Sequence, residues 1–95
     1  MQQTAHQADG AGTVEGRLRA LLADSLGIDA ARVAAFTGDT ALFGALPEFD
    51  SMAVANFLTA FEEHFAVLIE DDDVAAEDFE SFGRLLAFAE RMALR

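Results

Sequence analysis

The sequence predicts an all-α protein, a four-helix bundle whose first loop is long and whose third helix is short. Three observations support this fold class. Apolar residues recur at helical spacing in three segments of the chain. The 95 residues are enough for one domain, and 53% of them are hydrophobic. The chain has no cysteine, so neither disulfides nor thiolate metal sites can replace the packing of apolar helix faces.

The chain begins with a segment that has no apolar periodicity. Residues 1–12, MQQTAHQADGAG, are predicted to form a disordered tail, and residues 13–95 to form the folded domain. Thr13 can cap the first helix and Gly27 can end it. The apolar stripe of this helix is Val14, Leu18, Leu21, Leu22 and Leu26.

A long loop is predicted between the first and second helices. From residue 28 to residue 48 the periodicity is lost, and Gly38, Gly44 and Pro47 interrupt the segment. The second helix is predicted to start near Ser51 and is the clearest element, because its apolar residues form one stripe over three turns. That stripe is Val54, Phe57, Leu58, Phe61 and Phe65.

The last third of the chain is predicted to hold a short helix and a longer one. Residues 67–69, Val-Leu-Ile, have no partner strand and are interpreted as a buried connection. A short third helix fits residues 72–78. Ser81 can cap the last helix, and Arg91 and Arg95 near its C-terminus complement the helix dipole. The predicted inward face is Phe82, Leu85, Leu86, Ala89, Met92 and Ala93.

The charge of the chain limits its possible partners. Seventeen acidic residues and six arginines give a net charge of −11, and eleven of the acids lie between Glu48 and Glu80, where there is no Arg or Lys. This acidity excludes nucleic acid and favours partners with a basic surface. The alternative is that the acids only solvate exposed helix faces. No apolar run approaches the roughly 18 residues of a membrane helix, so we expect a cytoplasmic monomer that does not insert into membranes.

Ser51, within the run FDSM at residues 49–52, is the candidate for covalent chemistry. A serine hydrolase needs a base within hydrogen-bond reach, but His64 lies thirteen residues further on, about 20 Å along a helix, and His6 lies in the predicted tail. The Gly-x-Ser-x-Gly motif is absent as well. In the first turn of a helix, Ser51 is suited to hold a phosphate ester. Alternatively, Ser51 or Asp50 is only an N-cap.

The four consecutive acids at residues 70–73 do not form a recognisable metal motif. Counted from Asp71, the sixth residue of a calcium loop would be Ala76 instead of Gly, and the twelfth would be Phe82 instead of Glu. No metal site is predicted. We expect these acids to start the short third helix, where they favour the positive end of its dipole.

The segment from Leu46 to Glu90 resembles the acyl carrier protein family. The family has Asp-Ser-Leu at the start of its second helix, and this chain has Asp-Ser-Met at residues 50–52. That helix often ends in Glu-Glu-x-Phe, which is matched by EEHF at residues 62–65. The similarity extends from about Thr13 to about Leu94. It implies a four-helix bundle of acyl-carrier type that acts as a carrier and not as an enzyme.

The resemblance also implies a covalent cofactor. A separate phosphopantetheinyl transferase would take 4′-phosphopantetheine from coenzyme A and attach it to Ser51. Asp50 would present Ser51 to the divalent cation of the transferase. The thiol of the arm would then carry acyl intermediates as thioesters. Ser51 needs no base of its own under this interpretation, because the transferase supplies one.

The family's partners bind the exposed side of the second helix and the loop before it. Besides the transferase, the implied partners are an acyl- or aminoacyl-adenylating ligase, a ketosynthase or an acyltransferase with a basic docking surface. Residues 53–56 are neutral where fatty-acid carriers are often acidic, and Met52 replaces Leu, so a specialised lipid, polyketide or acyl-transfer pathway is favoured over primary fatty-acid synthesis. By position, the implied partner surface is Glu48, Met52, Ala55, Asn56, Thr59, Glu62, Glu63, Asp71, Asp72 and Asp73.

Two alternatives remain open from the sequence. One is an aminoacyl or peptidyl carrier with the same fold and arm. The other is an interaction module with the same fold and no modification, in which Ser51 is only a cap. A further hypothesis concerns the cargo: bulky rings on the inward faces could leave little room for an acyl chain, which would then be short, polar or poorly sheltered. The alternative is an ordinary well-packed core. The rings are Phe57, Phe61, Phe65 and Phe82.

Overall fold

The structure, a computed structural model, describes residues 12–94. Nearly all of the predicted tail, residues 1–11, and the C-terminal Arg95 lie outside this range. The predicted all-α class with four helices is confirmed, and the described residues contain no β-strand, only one bridge pair. The α-helices are α1 (Val14–Leu26), α2 (Ala30–Ala34), α3 (Ser51–Phe65) and α4 (Phe82–Ala93), with 3₁₀ helices at Asp71–Asp73 and Ala76–Phe79.

Helix α1 is the central element, because it packs against each of the other three α-helices. Its N-terminus is capped as predicted: Thr13 Oγ1 accepts a hydrogen bond of 2.9 Å from the Gly16 N–H. Gly27 ends it in the left-handed conformation, with φ of 68°. Leu18, Leu21 and Leu22 are buried, whereas the end positions of the predicted stripe, Val14 and Leu26, are half-buried.

Helix α2 lies inside the segment that was predicted to be a loop without secondary structure. Its five residues, AARVA, contain a single apolar anchor, Val33, so the sequence has no periodicity from which the helix could be recognised. Asp29 caps its N-terminus. The rest of residues 28–48 is a loop, as predicted.

Arg19 attaches this loop to α1. Its guanidinium donates to the carbonyl oxygens of Val33 at 2.6 Å and Phe36 at 3.1 Å, at the C-terminal end of α2. The same group lies over the ring of Phe82, 4.4 Å from the centroid. A cation at a helix C-terminus satisfies carbonyls that have no partner within the helix, and its contact with an aromatic face adds to the attraction. The arginine therefore holds α1, α2 and α4 together.

The second half of the loop is paired through its backbone with the chain around the start of α4. An isolated antiparallel bridge joins Ala41 and Ser81. Four N–H groups donate to carbonyl oxygens across this pairing, at 2.9 to 3.1 Å. They are Phe82 to Thr40, Gly83 to Gly38, Leu42 to Glu80 and Phe43 to Phe79.

Helix α3 buries the stripe that the sequence predicts. Phe57, Phe61 and Phe65 are buried, and the two remaining positions, Val54 and Leu58, are half-buried. At the C-terminus of the helix, Arg17 donates to the carbonyl oxygen of the exposed His64 at 2.9 Å and lies over the Phe65 ring at 4.3 Å. As with Arg19, the cation satisfies a carbonyl oxygen that has no partner within the helix.

Two predictions for the chain after α3 were wrong in detail. Leu68, in the predicted buried connection, is 70% exposed, although no strand forms there. The short third helix over residues 72–78 is a pair of 3₁₀ helices instead, separated by two extended residues, Val74 and Ala75. Local hydrogen bonds favour this break: the Asp73 carboxylate accepts from the Glu70 N–H and the Asp78 carboxylate from the Ala75 N–H, each at 2.8 Å.

Helix α4 starts and packs as predicted, with one addition. The Ser81 hydroxyl accepts from the Arg84 N–H at 3.2 Å. Phe88, which the predicted inward face omitted, is fully buried and contacts Phe61 with ring centroids 5.4 Å apart. Leu86 and Ala93 are half-buried, so the buried face is rotated toward Phe88. The other buried residues are Phe82, Leu85, Ala89 and Met92.

The contact between Gly38 and Gly83 generates a stability prediction. A Cβ atom on Gly83 would lie 2.8 Å from the Gly38 carbonyl oxygen, whereas a Cβ on Gly38 would meet nothing closer than 3.9 Å. We expect Gly83→Ala to lower the free energy of unfolding by about 1–3 kcal/mol, because the loop must move away from α4. The matched control, Gly38→Ala, should change it by less than about 0.5 kcal/mol. Urea unfolding of both variants measures the difference, and equal losses would contradict the close approach.

Candidate functional site

Ser51 is the first residue of α3, and its side chain is exposed. Its hydroxyl has no hydrogen-bond partner among residues 12–94. In the first turn of a helix the backbone N–H groups have no partner within the helix and point away from its N-terminus. The hydroxyl is therefore accessible to another macromolecule and close to donors that can bind a phosphate.

Asp50, and not Ser51, caps α3. Its Oδ1 accepts from the Ala53 N–H at 2.9 Å, and its backbone carbonyl accepts from the Val54 N–H at 2.9 Å. These two bonds leave the N–H groups of Ser51 and Met52 unused by the cap. Of the two N-cap alternatives, the structure thus selects Asp50, and it leaves the Ser51 hydroxyl without a structural role of its own.

An apolar groove of about 310 Å³ opens beside Ser51. Its walls come from α3, from the extended residues between the two 3₁₀ helices, and from the paired loop. Ser51 provides the only side-chain hydroxyl in the groove. The other lining residues are Phe43, Val54, Leu58, Val74, Ala75, Ala76 and Phe79.

A second groove, of about 410 Å³, follows the loop from Phe43 to Ser51. Phe43 and Ser51 line both grooves, so the two grooves adjoin at these residues. This ring is 47% exposed, whereas its neighbour Leu42 is fully buried. The sequence of residues 28–48 has no periodicity that distinguishes Leu42 from Phe43, so it could not predict that Phe43 forms a groove wall.

One wall of the first groove, Phe79, belongs to a cluster of three phenylalanine rings. Phe79 is only 5% exposed and meets Phe49 and Phe57 edge to face, with centroids 5.8 and 6.4 Å away. Phe49 and Phe57 are themselves 6.2 Å apart in a similar arrangement. Edge-to-face contacts of this kind are favourable beyond the area that they bury. The hypothesis that bulky rings limit the space for cargo has a structural basis here, although two of the three rings were not among those it named.

The predicted partner surface is mostly exposed. Met52 is 72% exposed, and a stripe of exposed residues continues from it along α3. Asp71 and Asp72 are exposed as well, and together with Glu63 they have no hydrogen-bond or ion-pair partner within the described residues. The rest of the stripe is Ala55, Asn56, Thr59 and Glu63.

Three acids of the predicted partner surface are half-buried and engaged within the protein. Glu62 Oε2 accepts from the Ile69 N–H at 2.8 Å, and Asp73 Oδ2 accepts from the Glu70 N–H at 2.8 Å. Glu48 forms a 2.6 Å ion pair with Arg32 of α2. The sequence could not indicate these roles, because each depends on a backbone or side chain brought close only by the fold.

The ion pair of Glu48 changes its proton affinity. The hydrogen bond from Arg32 lowers the pKa of Glu48, assisted by a backbone hydrogen bond, and the same hydrogen bond raises the pKa of Arg32. The loop acid therefore stays ionised and is partly neutralised by its partner. Of the acids that the resemblance assigned to docking, this leaves Glu63, Asp71 and Asp72 as exposed charges without a partner among the described residues.

The described residues hold no group of three or more acids or histidines that could bind a metal ion. Within the same part of the chain, no helix is long and apolar enough to cross a membrane. The residues around Ser51 do fit the cofactor that the resemblance implied. An accessible hydroxyl, two unused backbone N–H groups beside it and an adjoining apolar groove match a phosphate ester, its anchor and a flexible arm with apolar cargo.

Comparison with known proteins gives the same assignment. The family model described as "Phosphopantetheine attachment site" matches residues 16–89. No curated protein sequence matches the chain. Among solved structures, the chain is similar to the solution NMR structure of a holo acyl carrier protein from Nitrosomonas europaea, with 40% identity and a TM-score of 0.70. The match covers 79% of this chain and 89% of that protein.

The family match spans the four α-helices of the described residues except the start of the first and the end of the last. Sequence, fold and the surroundings of Ser51 therefore lead to one assignment, and the implied cofactor and the non-enzymatic role are confirmed with it. The chain belongs to the phosphopantetheine attachment family and is a carrier protein of the acyl carrier type, with 4′-phosphopantetheine as its covalent cofactor.

Proposed function

We propose that this protein is an acyl carrier protein whose phosphopantetheine arm is attached to the Ser51 hydroxyl, with residues 13–95 as the carrier domain. The observation that carries the proposal is that Ser51 begins α3 with an exposed hydroxyl that no described residue uses, beside an apolar groove. When bound, the cofactor supplies a thiol on a flexible arm that holds acyl groups as thioesters.

The attachment step uses the chemistry that Ser51 offers to a transferase. Ser51 Oγ forms a bond to the phosphorus next to the pantetheine of coenzyme A, and the bond from this phosphorus to the adenosine bisphosphate breaks. A base of the transferase takes the serine proton. On the carrier, the Ser51 and Met52 N–H groups would bind the phosphate oxygens at the positive end of the α3 dipole. Asp50 keeps its cap through Oδ1 and offers Oδ2 to the cation of the transferase.

The lining of the groove favours an acyl cargo over an aminoacyl cargo. All of its lining side chains except Ser51 are hydrocarbon. An ammonium group placed there would lose its hydration without gaining a carboxylate partner. The neutral residues 53–56 and the exposed Met52 favour a specialised lipid, polyketide or acyl-transfer pathway. The partners would be an adenylating ligase, a ketosynthase or an acyltransferase, and the setting would be the cytoplasm.

The attachment site can be tested by mass spectrometry. Incubation with coenzyme A and a permissive phosphopantetheinyl transferase should add the mass of one phosphopantetheine, and Ser51→Ala should abolish the gain. Because the Ser51 side chain makes no structural hydrogen bond, the variant should keep its stability within about 0.5 kcal/mol. Ser25→Ala, in α1, is the matched control and should be modified normally. A mass gain in Ser51→Ala would show that the arm is attached to another residue. No mass gain in the wild type would favour the unmodified interaction module.

The two roles proposed for Asp50 can be separated by two substitutions. Asparagine caps a helix as well as aspartate, so Asp50→Asn should leave the stability nearly unchanged, whereas Asp50→Ala should lose about 1 kcal/mol. Both variants remove the carboxylate that faces the transferase cation, so both should be modified more slowly, by about tenfold or more if a charge-assisted contact of about 1.5 kcal/mol is lost. Normal modification of Asp50→Asn would limit Asp50 to capping.

We propose that basic partners dock on the exposed stripe of α3, with apolar contacts at Met52 and attraction by the acids that follow. Each of the five described arginines already makes a hydrogen bond or an ion pair within the protein. None of these ion pairs involves Glu63, Asp71 or Asp72. Such an arrangement raises association rates for a basic surface. Glu48, Glu62 and Asp73 support this face from within, and Ala55, Asn56 and Thr59 form its neutral middle.

The docking proposal is tested by neutralising the three partnerless acids. Glu63→Gln, Asp71→Asn and Asp72→Asn together should raise the transferase KM about three- to tenfold at low salt and leave kcat unchanged, because rim charges act mainly on association. The difference should shrink in high salt. The control carries Asp24→Asn, Asp39→Asn and Glu90→Gln, three exposed acids with the same total charge. Equal effects of the two triple variants would mean that net charge matters and location does not.

A further inference from the structure

The buried aromatic wall of the apolar groove limits what the carrier can shelter. We propose that Phe79 is the specificity-determining residue of this carrier, and that it restricts the sheltered cargo to a short apolar acyl group. The proposal rests on the proposed function, because the cargo reaches the groove only if the arm is attached to Ser51. It follows from three features of the groove: its buried aromatic wall, its size and its lining.

Phe79 is held in place from both sides. Its carbonyl oxygen accepts from the Phe43 N–H at 3.0 Å, which fixes its backbone to the paired loop. Its ring is 5% exposed and lies edge to face against Phe49 and Phe57, which are 1% and 0% exposed. A chain that enters past Ser51 and Val54 meets this ring, and it can go further only if packed rings move.

The space behind Phe79 is already filled by other rings. Phe57 contacts Phe61 with centroids 6.0 Å apart, and Phe61 contacts Phe88 at 5.4 Å. All three rings are 0% exposed. This column of rings runs from the groove into the centre of the bundle. An alkyl chain in the bundle core would have to displace one of them, and creating that space costs stability as overpacking does.

The size and lining of the groove define the class of cargo. A volume of about 310 Å³ is at the lower end for ligand sites, and at the roughly 30 Å³ that a water-sized group occupies it holds on the order of ten heavy atoms. Apart from the Ser51 hydroxyl, which would carry the arm, no side chain in the groove can bind a charged group. A saturated acyl chain of up to about eight carbons therefore fits, and the rest of a longer chain stays in water.

The experiment compares a series of cargoes on the full chain. Acyl-coenzyme A donors from acetyl to dodecanoyl are used with a permissive transferase to load Ser51, and the thermal unfolding midpoint and backbone amide shifts are recorded. We expect the midpoint to rise by about 2–3 °C per sheltered methylene, half the value for full burial, and to stop rising at about eight carbons. Norleucyl cargo, which is hexanoyl with an α-ammonium group, should give a smaller rise than hexanoyl. Amide shifts should concentrate at Val54, Leu58, Val74 and Ala76.

Two variants test whether Phe79 sets the limit. Phe79→Leu keeps an apolar residue in the buried position and removes the ring edge. The chain length at which the unfolding midpoint stops rising should therefore increase. Each midpoint is compared with that of the same variant loaded with acetyl. Ala76→Phe, on the exposed side of the groove, fills it without touching the core and should remove the dependence on chain length. Ala87→Phe, exposed on α4 and outside the groove, is the matched control and should behave like the wild type.

The outcomes separate this proposal from the proposed function. A midpoint that keeps rising to dodecanoyl, with large amide shifts at Phe61 and Phe88, would show that long cargo enters the core and would overturn the role of Phe79. A midpoint that is independent of chain length from acetyl onwards would also overturn it, while the mass gain would still support the carrier function. Failure of the wild type to accept any arm would overturn both.

Discussion

The backbone pairing between residues 38–43 and residues 79–83 is the constraint on which the site depends. The long loop after α2 buries Phe36, Leu42 and Phe49, but it forms no regular secondary structure of its own, and closing it costs conformational entropy. Four hydrogen bonds and the close approach of Gly38 and Gly83 fix it against the start of α4. This pairing puts Phe43 beside the groove and holds the Phe79 backbone. The Phe79 ring then packs on Phe49, the residue directly before the Asp50 cap, so the same constraint reaches the start of α3.

The few bases of the protein are used where they replace missing hydrogen bonds. Arg17, Arg19 and Arg91 each donate to a backbone carbonyl near the end of a helix. The last carbonyl oxygens of a helix have no donor within the helix, so the arginines supply one. An exposed ion pair contributes little to stability, but a cation at a helix end also satisfies an acceptor. None of the described ion pairs of these arginines involves the exposed acids Glu63, Asp71 and Asp72.

The helices that bury a regular stripe could be predicted from the sequence, and the elements fixed by single contacts could not. α1, α3 and α4 follow from apolar spacing and from caps at Thr13, Asp50 or Ser51, and Ser81. Helix α2 has one buried side chain and depends on Arg19, eleven residues before its first residue, so no local pattern predicts it. Ser51 and the cofactor were reached through the resemblance, but the groove needs Phe43 and Phe79, which come together only through the loop pairing.

Asp50 and Ser51 have different positions at the start of α3, which would allow the helix to start at the proposed attachment residue. If the Ser51 hydroxyl were the cap, esterification would remove a lone pair from the bond that stabilises the helix. Here the cap is Asp50 Oδ1, which binds the Ala53 N–H and takes no part in the ester. The carboxylate and a phosphodiester on Ser51 would be like charges, but both would lie at the positive end of the α3 dipole, where the N–H groups of Ser51 and Met52 could bind the phosphodiester. The start of the helix therefore does not depend on the state of the serine, and one docking face can serve both the transferase and the enzymes that follow it.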